Sequence, residues 1–128
     1  MVSDHDKYAK EYDSQIKEYD CYIADVLFGL SYEYIKKGEN LIDIGIGTGV
    51  SSCLFSKAEL HIIGIDGSKE MLKICKMKRI ADELIEHYMM VFPWPFQKQH
   101  FKHVICCGVF HFMGDLDRIC HEISQLHD

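Results

Sequence analysis

Apolar residues recur along this chain with two different periods, and the alternation between them predicts the architecture. Over residues 8–30, Tyr8, Tyr12, Ile16, Tyr19, Ile23, Val26, Leu27 and Leu30 fall three or four apart, the stripe of an amphipathic helix. Gly29 is expected to interrupt that helix and Gly38 to close it. Asn40–Ile44 is short, apolar on both faces and halted by glycine, as a strand buried on both sides should be. Helical spacing returns over residues 50–57, and a second apolar run over 61–65 ends at Asp66. Ser68 is placed to cap the next helix, which carries Met71, Leu72, Ile74 and Cys75. A weaker strand is predicted around 84–88. Pro93 and Pro95, flanking Trp94, impose an extended loop. A fourth strand follows over 104–107, and Asp115 caps a last helix with Leu116, Ile119, Ile123 and Leu126 on one face.

Strands alternating with helices imply an α/β fold, a parallel sheet with helices on both faces. The boundaries read as an N-terminal helical cap segment over 1–38 and an α/β domain over 39–128. A chain of 128 residues holds one core and has little room for a second. The net charge of −6 argues against a nucleic-acid or anionic-membrane partner held by bulk electrostatics. Lys73, Lys76, Lys78 and Arg79 cluster locally and read as a solvated helix face. No stretch has the length and apolarity of a membrane span, and the first ten residues are too polar for a secretory signal. Cys21, Cys53, Cys75, Cys106, Cys107 and Cys120 form no CxxC pair and mostly sit in apolar runs. They are expected to be small buried hydrophobes kept reduced, which points to the cytoplasm.

The chemistry is concentrated in Leu41-Ile42-Asp43-Ile44-Gly45-Ile46-Gly47-Thr48-Gly49-Val50. A strand runs into glycines that open a helix, where a ligand can approach the backbone and meet free N–H groups. The dinucleotide fingerprint asks for G-x-G-x-x-G, but Val50 holds its last position. Asp43, just before the first glycine, would repel a pyrophosphate and suits a ligand with an ammonium and a sulfonium. Asp66, at the tip of the second strand, can accept both hydroxyls of an adenosine ribose. Two carboxylates at adjacent strand tips have no evident structural use, and a nicotinamide-dependent oxidoreductase is disfavoured by Val50 and Asp43.

These segments resemble the class I, Rossmann-like S-adenosylmethionine-dependent methyltransferases. Asp43-x-Gly45-x-Gly47-x-Gly49 is similar to that family's first motif, and Gly64-Ile65-Asp66-Gly67-Ser68 with Met71-Leu72 to its second. Pro93-Trp94-Pro95-Phe96, Phe101 and the run from Val104 through Cys106, Cys107 and Gly108 to His111 resemble the later loop and fourth strand. Tyr12-Asp13 and Tyr19-Asp20 resemble the N-terminal helix of members that methylate small molecules. The resemblance implies methyl transfer from S-adenosylmethionine, with S-adenosylhomocysteine as product, to a small-molecule acceptor.

By the same resemblance, Gly45 and Gly47, with Thr48 and Gly49, pass beneath the methionine portion, and Asp43 holds its ammonium end. Asp66 takes the ribose, and Gly67 and Ser68 border the adenine. Cys107 lies beside the sulfonium, and Tyr12 or Tyr19 closes the pocket, unless those tyrosines serve only in packing. His111 is the candidate general base, although alignment of the acceptor alone can suffice for methyl transfer. Trp94 either walls the acceptor pocket or staples a rigid loop. The family often has aspartate after its third strand, where this chain reads Glu86-His87-Tyr88-Met89.

His100, His103, Cys106, Cys107 and His111 are near one another in sequence, but adjacent residues on a strand point to opposite faces, so no metal site is expected. The family's strand order, 3-2-1-4-5-7-6, implies that this chain supplies four strands and stops after the following helix. It is therefore expected to be a truncated form with the fourth strand as an exposed apolar edge, open to pairing with a second copy. The competing functional reading is a non-catalytic S-adenosylmethionine-binding module that needs self-association or a partner.

Overall fold

A computed structural model of the chain describes residues 23–96, 100–106 and 116–127. Four strands, β1 (Asn40–Ile44), β2 (His61–Asp66), β3 (Glu83–Glu86) and β4 (His103–Ile105), form one parallel sheet in the order β3-β2-β1-β4. The helices are α1 (Ile23–Ser31), followed by a 3-10 turn (Tyr32–Tyr34), then α2 (Cys53–Lys57), α3 (Lys69–Lys78) and α4 (Leu116–Leu126). The register sets Asp43 beside Gly64 and Asp66 beside Glu86, so the strands end together at one pole.

Alternation along the strands divides the core between the two faces. Leu41, Ile62 and Ile105 pack with Phe55 of α2, Cys75 of α3 and Leu27 and Phe28 of α1. Ile42, Ile44, Ile63 and Ile65 pack on the other face against Trp94, Phe96, Phe101 and Ile119 and Leu126 of α4. Among the described residues the β3–β4 connection contains no helix. Its aromatic side chains do a helix's work instead, with Trp94 only 1% exposed and its indole N–H donating to the Met89 carbonyl at 2.8 Å. Trp94 is thus a core residue.

Several predicted boundaries move. Gly29 does not break α1, which continues to Ser31. Helix α2 starts at Cys53 and not at residue 50, because the chain first makes two tight turns, Gly49 N–H to the Ile46 carbonyl and Ser52 N–H to the Gly49 carbonyl. Strand β3 is Glu83–Glu86, and β4 starts earlier and ends earlier than the apolar run implied. Asn40 anchors β4 to β1 by accepting the Lys102 N–H at 2.8 Å and donating to the His100 carbonyl at 3.0 Å. His103 is held against Glu39 at 3.0 Å. Of the described cysteines only Cys75 is fully buried, while Cys120 is exposed on α4, so the expectation of uniformly buried thiols fails. The stretch predicted to be helical over 8–22, the Asp115 cap and Cys21 lie outside the described residues.

No described helix is long and apolar enough to cross a membrane, and no group of three or more potential ligands among the described residues could hold a metal. The Phe101 N–H donates to the Leu126 carbonyl at 2.7 Å, and His127 makes a parallel bridge to Phe101. The segment leaving α4 therefore arrives alongside the approach to β4, running in the sheet's own direction.

Candidate functional site

At the carboxyl ends of β1 and β2 the chain turns through three glycines with left-handed backbones, Gly45 (φ 75°), Gly47 (φ 57°) and Gly49 (φ 90°), a conformation that side chains other than glycine rarely adopt. At Gly49 there is a second reason. A methyl there would stand 2.8 Å from Ile80 Cδ1 and 3.0 Å from Cys75 Sγ, so this glycine serves the packing of the turn on α3. Gly47 differs, since among the described residues the nearest atom to an added methyl is Met71 Sδ at 3.9 Å, which leaves room above it.

The turn's amides are already committed. Gly45 and Ile46 N–H both donate to the Ile65 carbonyl, at 2.8 and 3.1 Å, and Gly47 N–H donates to Asp66 Oδ2 at 2.9 Å. The other Asp66 oxygen, Oδ1, accepts the Ser68 N–H at 2.9 Å. Asp66 is thus a buried carboxylate gripped by two backbone donors, which stabilise its charged form. An incoming phosphate would meet this anion and not a ring of free N–H groups. A ribose diol brings donors, which a carboxylate with remaining lone pairs can accept.

Asp43 lies behind the turn. It is 1% exposed, and its Oδ2 accepts the Ser52 hydroxyl at 2.6 Å. Burial pushes its pKa up to about 7; the Ser52 bond pulls it down and the neighbouring Asp66 charge pushes it up. The two carboxylates therefore feel each other, and a cation placed at these tips would relieve both.

Ser68 caps α3, its hydroxyl accepting the Met71 N–H at 3.2 Å. Thr48 is fully buried, and Ser68 is 1% exposed. Gly67 backs onto Tyr88, whose ring carbon Cδ1 would lie 2.6 Å from an added methyl, so a side chain here would push that exposed ring aside. The structure thus brings Gly45, Gly47, Asp66 and Gly67 to one pole, sets Asp43 just beneath them, and turns the Thr48, Gly49 and Ser68 positions to packing and capping. Tyr12, Tyr19, Cys107 and His111 lie outside the described residues. Ser52 and Tyr88 escaped sequence reasoning. Ser52 offered no signal of its own, being one of three hydroxyl residues, with Thr48 and Ser51, in the turn after β1.

Comparisons with known proteins agree with this geometry. A candidate S-adenosyl-L-methionine-dependent methyltransferase from Methanococcus maripaludis superposes with a TM-score of 0.78 at 22% identity, covering 96% of this chain and 59% of that one. A chain from the Haloferax volcanii complex between the Trm112 methyltransferase activator and a candidate methyltransferase gives 0.82 at 19% identity, over 100% and 57%. A Thiobacillus denitrificans methyltransferase in complex with S-adenosyl-L-homocysteine gives 0.67 at 16%, over 84% and 44%. At such identities the likeness shows the shared fold, and the chain spans less than two thirds of each of these proteins. No curated protein matches the sequence. The profile of the family described as a methyltransferase domain matches residues 42–127, from within β1 to the end of α4. By that match this chain belongs to the methyltransferase domain family.

Proposed function

We propose that this chain binds S-adenosylmethionine across the tips of β1 and β2 and serves methyl transfer to a small-molecule acceptor. The observation that carries the reading is Asp66, a buried carboxylate at a strand tip, fixed by Gly47 and Ser68 amides beside a glycine turn open above Gly47. The bound group would supply an electrophilic methyl, which leaves its sulfonium with the C–S electron pair staying on sulfur as the acceptor's lone pair forms the new bond. In this reading Asp66 accepts the ribose hydroxyls, Gly45 and Gly47 let the methionine portion lie against the backbone, and Asp43 adds negative potential beneath its ammonium. Thr48, Gly49, Gly67 and Ser68 shape the turn and the adenine border. Cys107 beside the sulfonium, Tyr12 and Tyr19 over the pocket, and His111 as proton acceptor complete the assignment on the sequence alone. The cysteines, free where they are described, suit a cytoplasmic setting.

A second reading is a cofactor-binding module completed by another copy or another protein. It is favoured by β4, which among the described residues pairs along its length only with β1.

Calorimetric titration of the purified chain with S-adenosylhomocysteine tests the site. We expect a dissociation constant of about micromolar order, weakened about tenfold or more in Asp66→Asn, which keeps an acceptor but loses the charge. A folded chain that takes up no ligand, or that binds equally well after the substitution, sinks the reading. Binding without transfer of a labelled methyl group to a panel of small nucleophiles favours the module.

A further inference from the structure

Ser52 stands at the N-cap position of α2, where a serine ordinarily turns its oxygen onto the first amides of the helix. Here it makes no such bond. Its hydroxyl is fully buried and donates instead to Asp43 Oδ2 at 2.6 Å. The hydroxyl that could cap α2 thus serves a buried carboxylate. Asp43 shares the sheet face of Leu41. On that face β4 brings Ile105 alongside it, α2 brings Phe55 and the Cys53 thiol, and α3 brings the Cys75 thiol. The charged group that acts on it is Asp66 of β2. Burial and the Asp66 charge oppose its ionisation, and among the described residues the Ser52 hydroxyl is the group that favours it.

We infer that Ser52 is a positioning residue of this site, which fixes Asp43 beneath the ligand and makes uptake of the ligand's ammonium group release a proton from Asp43 to solvent. The inference rests on the S-adenosylmethionine reading of the site. An ammonium set down at the tips of β1 and β2 favours the ionised form of both carboxylates. Asp66 is already gripped as an anion by the Gly47 and Ser68 amides, so the change of state falls on Asp43. With no cation beside it, Asp43 keeps its proton up to about pH 7. A cation above it lowers that value, and the proton leaves as the ligand enters. Binding is therefore tightest above neutral pH, where Asp43 is ionised beforehand, and weakens below it, where a proton must be displaced. Ser52 sets the pH at which that change falls, because its O–H bond to Oδ2 favours the anion. It acts on the ligand through Asp43 and not by touching it.

Calorimetric titration of the full chain with S-adenosylhomocysteine, from about pH 5.5 to about pH 8.5, reads the linkage. Each pH is run in two buffers of different ionisation enthalpy, which reports the protons released. The dissociation constant should rise about tenfold from about pH 8 to about pH 6, with close to one proton released at the lower end. Asp43→Asn should bind without that pH dependence and without the release. Ser52→Ala should move the curve up by about one pH unit. It should then bind about fivefold more weakly than the unaltered chain at about pH 7, yet within about twofold of it at about pH 8.5. A serine needed only to pack the turn would instead weaken binding equally at every pH. If the unaltered chain takes up no S-adenosylhomocysteine at any pH, the reading of the site itself falls. Three results overturn the inference and leave that reading standing: affinity that is flat across the range, pH dependence that persists in Asp43→Asn, or a Ser52→Ala loss that is the same at every pH.

Discussion

Asp66 and Asp43 stand at the carboxyl ends of neighbouring strands, yet their surroundings are opposite. Asp66 has both oxygens taken by backbone N–H groups, Gly47 on one and Ser68 on the other. Asp43 is buried with the Ser52 hydroxyl donating to its Oδ2, and the Asp66 charge nearby opposes its ionisation. Backbone donors cannot rotate away, and they stabilise an anion; burial beside a lone hydroxyl leaves the acid nearly balanced between its two forms at neutral pH. Placing a carboxylate at a strand tip does not by itself define its charge. The donors that the following turn directs at it decide whether it stays an anion.

The widest test of this contrast is pH. Asp43 has a folded pKa of about 7 against its usual 3.8. Between those values the unfolded chain has lost the proton and the folded chain keeps it, so stability falls as pH rises through that window and levels off above it. The loss amounts to about 4 kcal/mol at most. Urea denaturation of Asp43→Asn should show that slope flattened, and an unchanged slope would assign the pH dependence elsewhere. Next in size is Asp66→Ala, which strands the Gly47 and Ser68 amides. Unfolding free energy should drop by about 3 kcal/mol, and the slope that Asp43 causes should persist but level off at a lower pH, because the Asp66 charge no longer pushes the Asp43 pKa up. Smallest is Ser52→Ala, at about 1 kcal/mol. Because the Ser52 hydroxyl favours the ionised form, its removal should raise the Asp43 pKa further and move the levelling-off to higher pH. A downward move would mean that the hydroxyl does not donate to Asp43.

The carboxylates were legible in the sequence as a pair, but not their difference. Runs such as Asn40–Ile44 announce a strand buried on both faces because Leu41, Ile42 and Ile44 put apolar side chains on both of them, and Ser68 announces a cap because the helix behind it needs an acceptor. Those signals are local. The Asp43–Ser52 bond joins a strand tip to a turn nine residues on, and the grip of Gly47 on Asp66 spans nineteen, so neither exists until the turn closes. The apolar run carries the predicted end of β4 two residues too far because Cys106 is as apolar as Ile105, while the ladder to β1 stops at the Asp43–Ile105 pair. The prolines of the β3–β4 crossing predict an extended loop. Nothing in its spacing foretold that Trp94 and Phe96 would fill the space of a missing helix, since aromatic side chains pack there one by one, without a period.

That crossing also gives the molecule a built-in optical reporter. The chain has a single tryptophan, sealed on the sheet face that carries α4, with the Phe92 ring 6.3 Å away and the Glu122 carboxylate of α4 at its backbone N–H. The opposite face, under α1, α2 and α3, holds none. Emission from Trp94 therefore follows the docking of α4 and the aromatic crossing alone, while far-ultraviolet dichroism follows the helices of both faces. If the two layers melt together, the curves coincide; if the layer under α4 loosens first, the light changes while most of the helix remains.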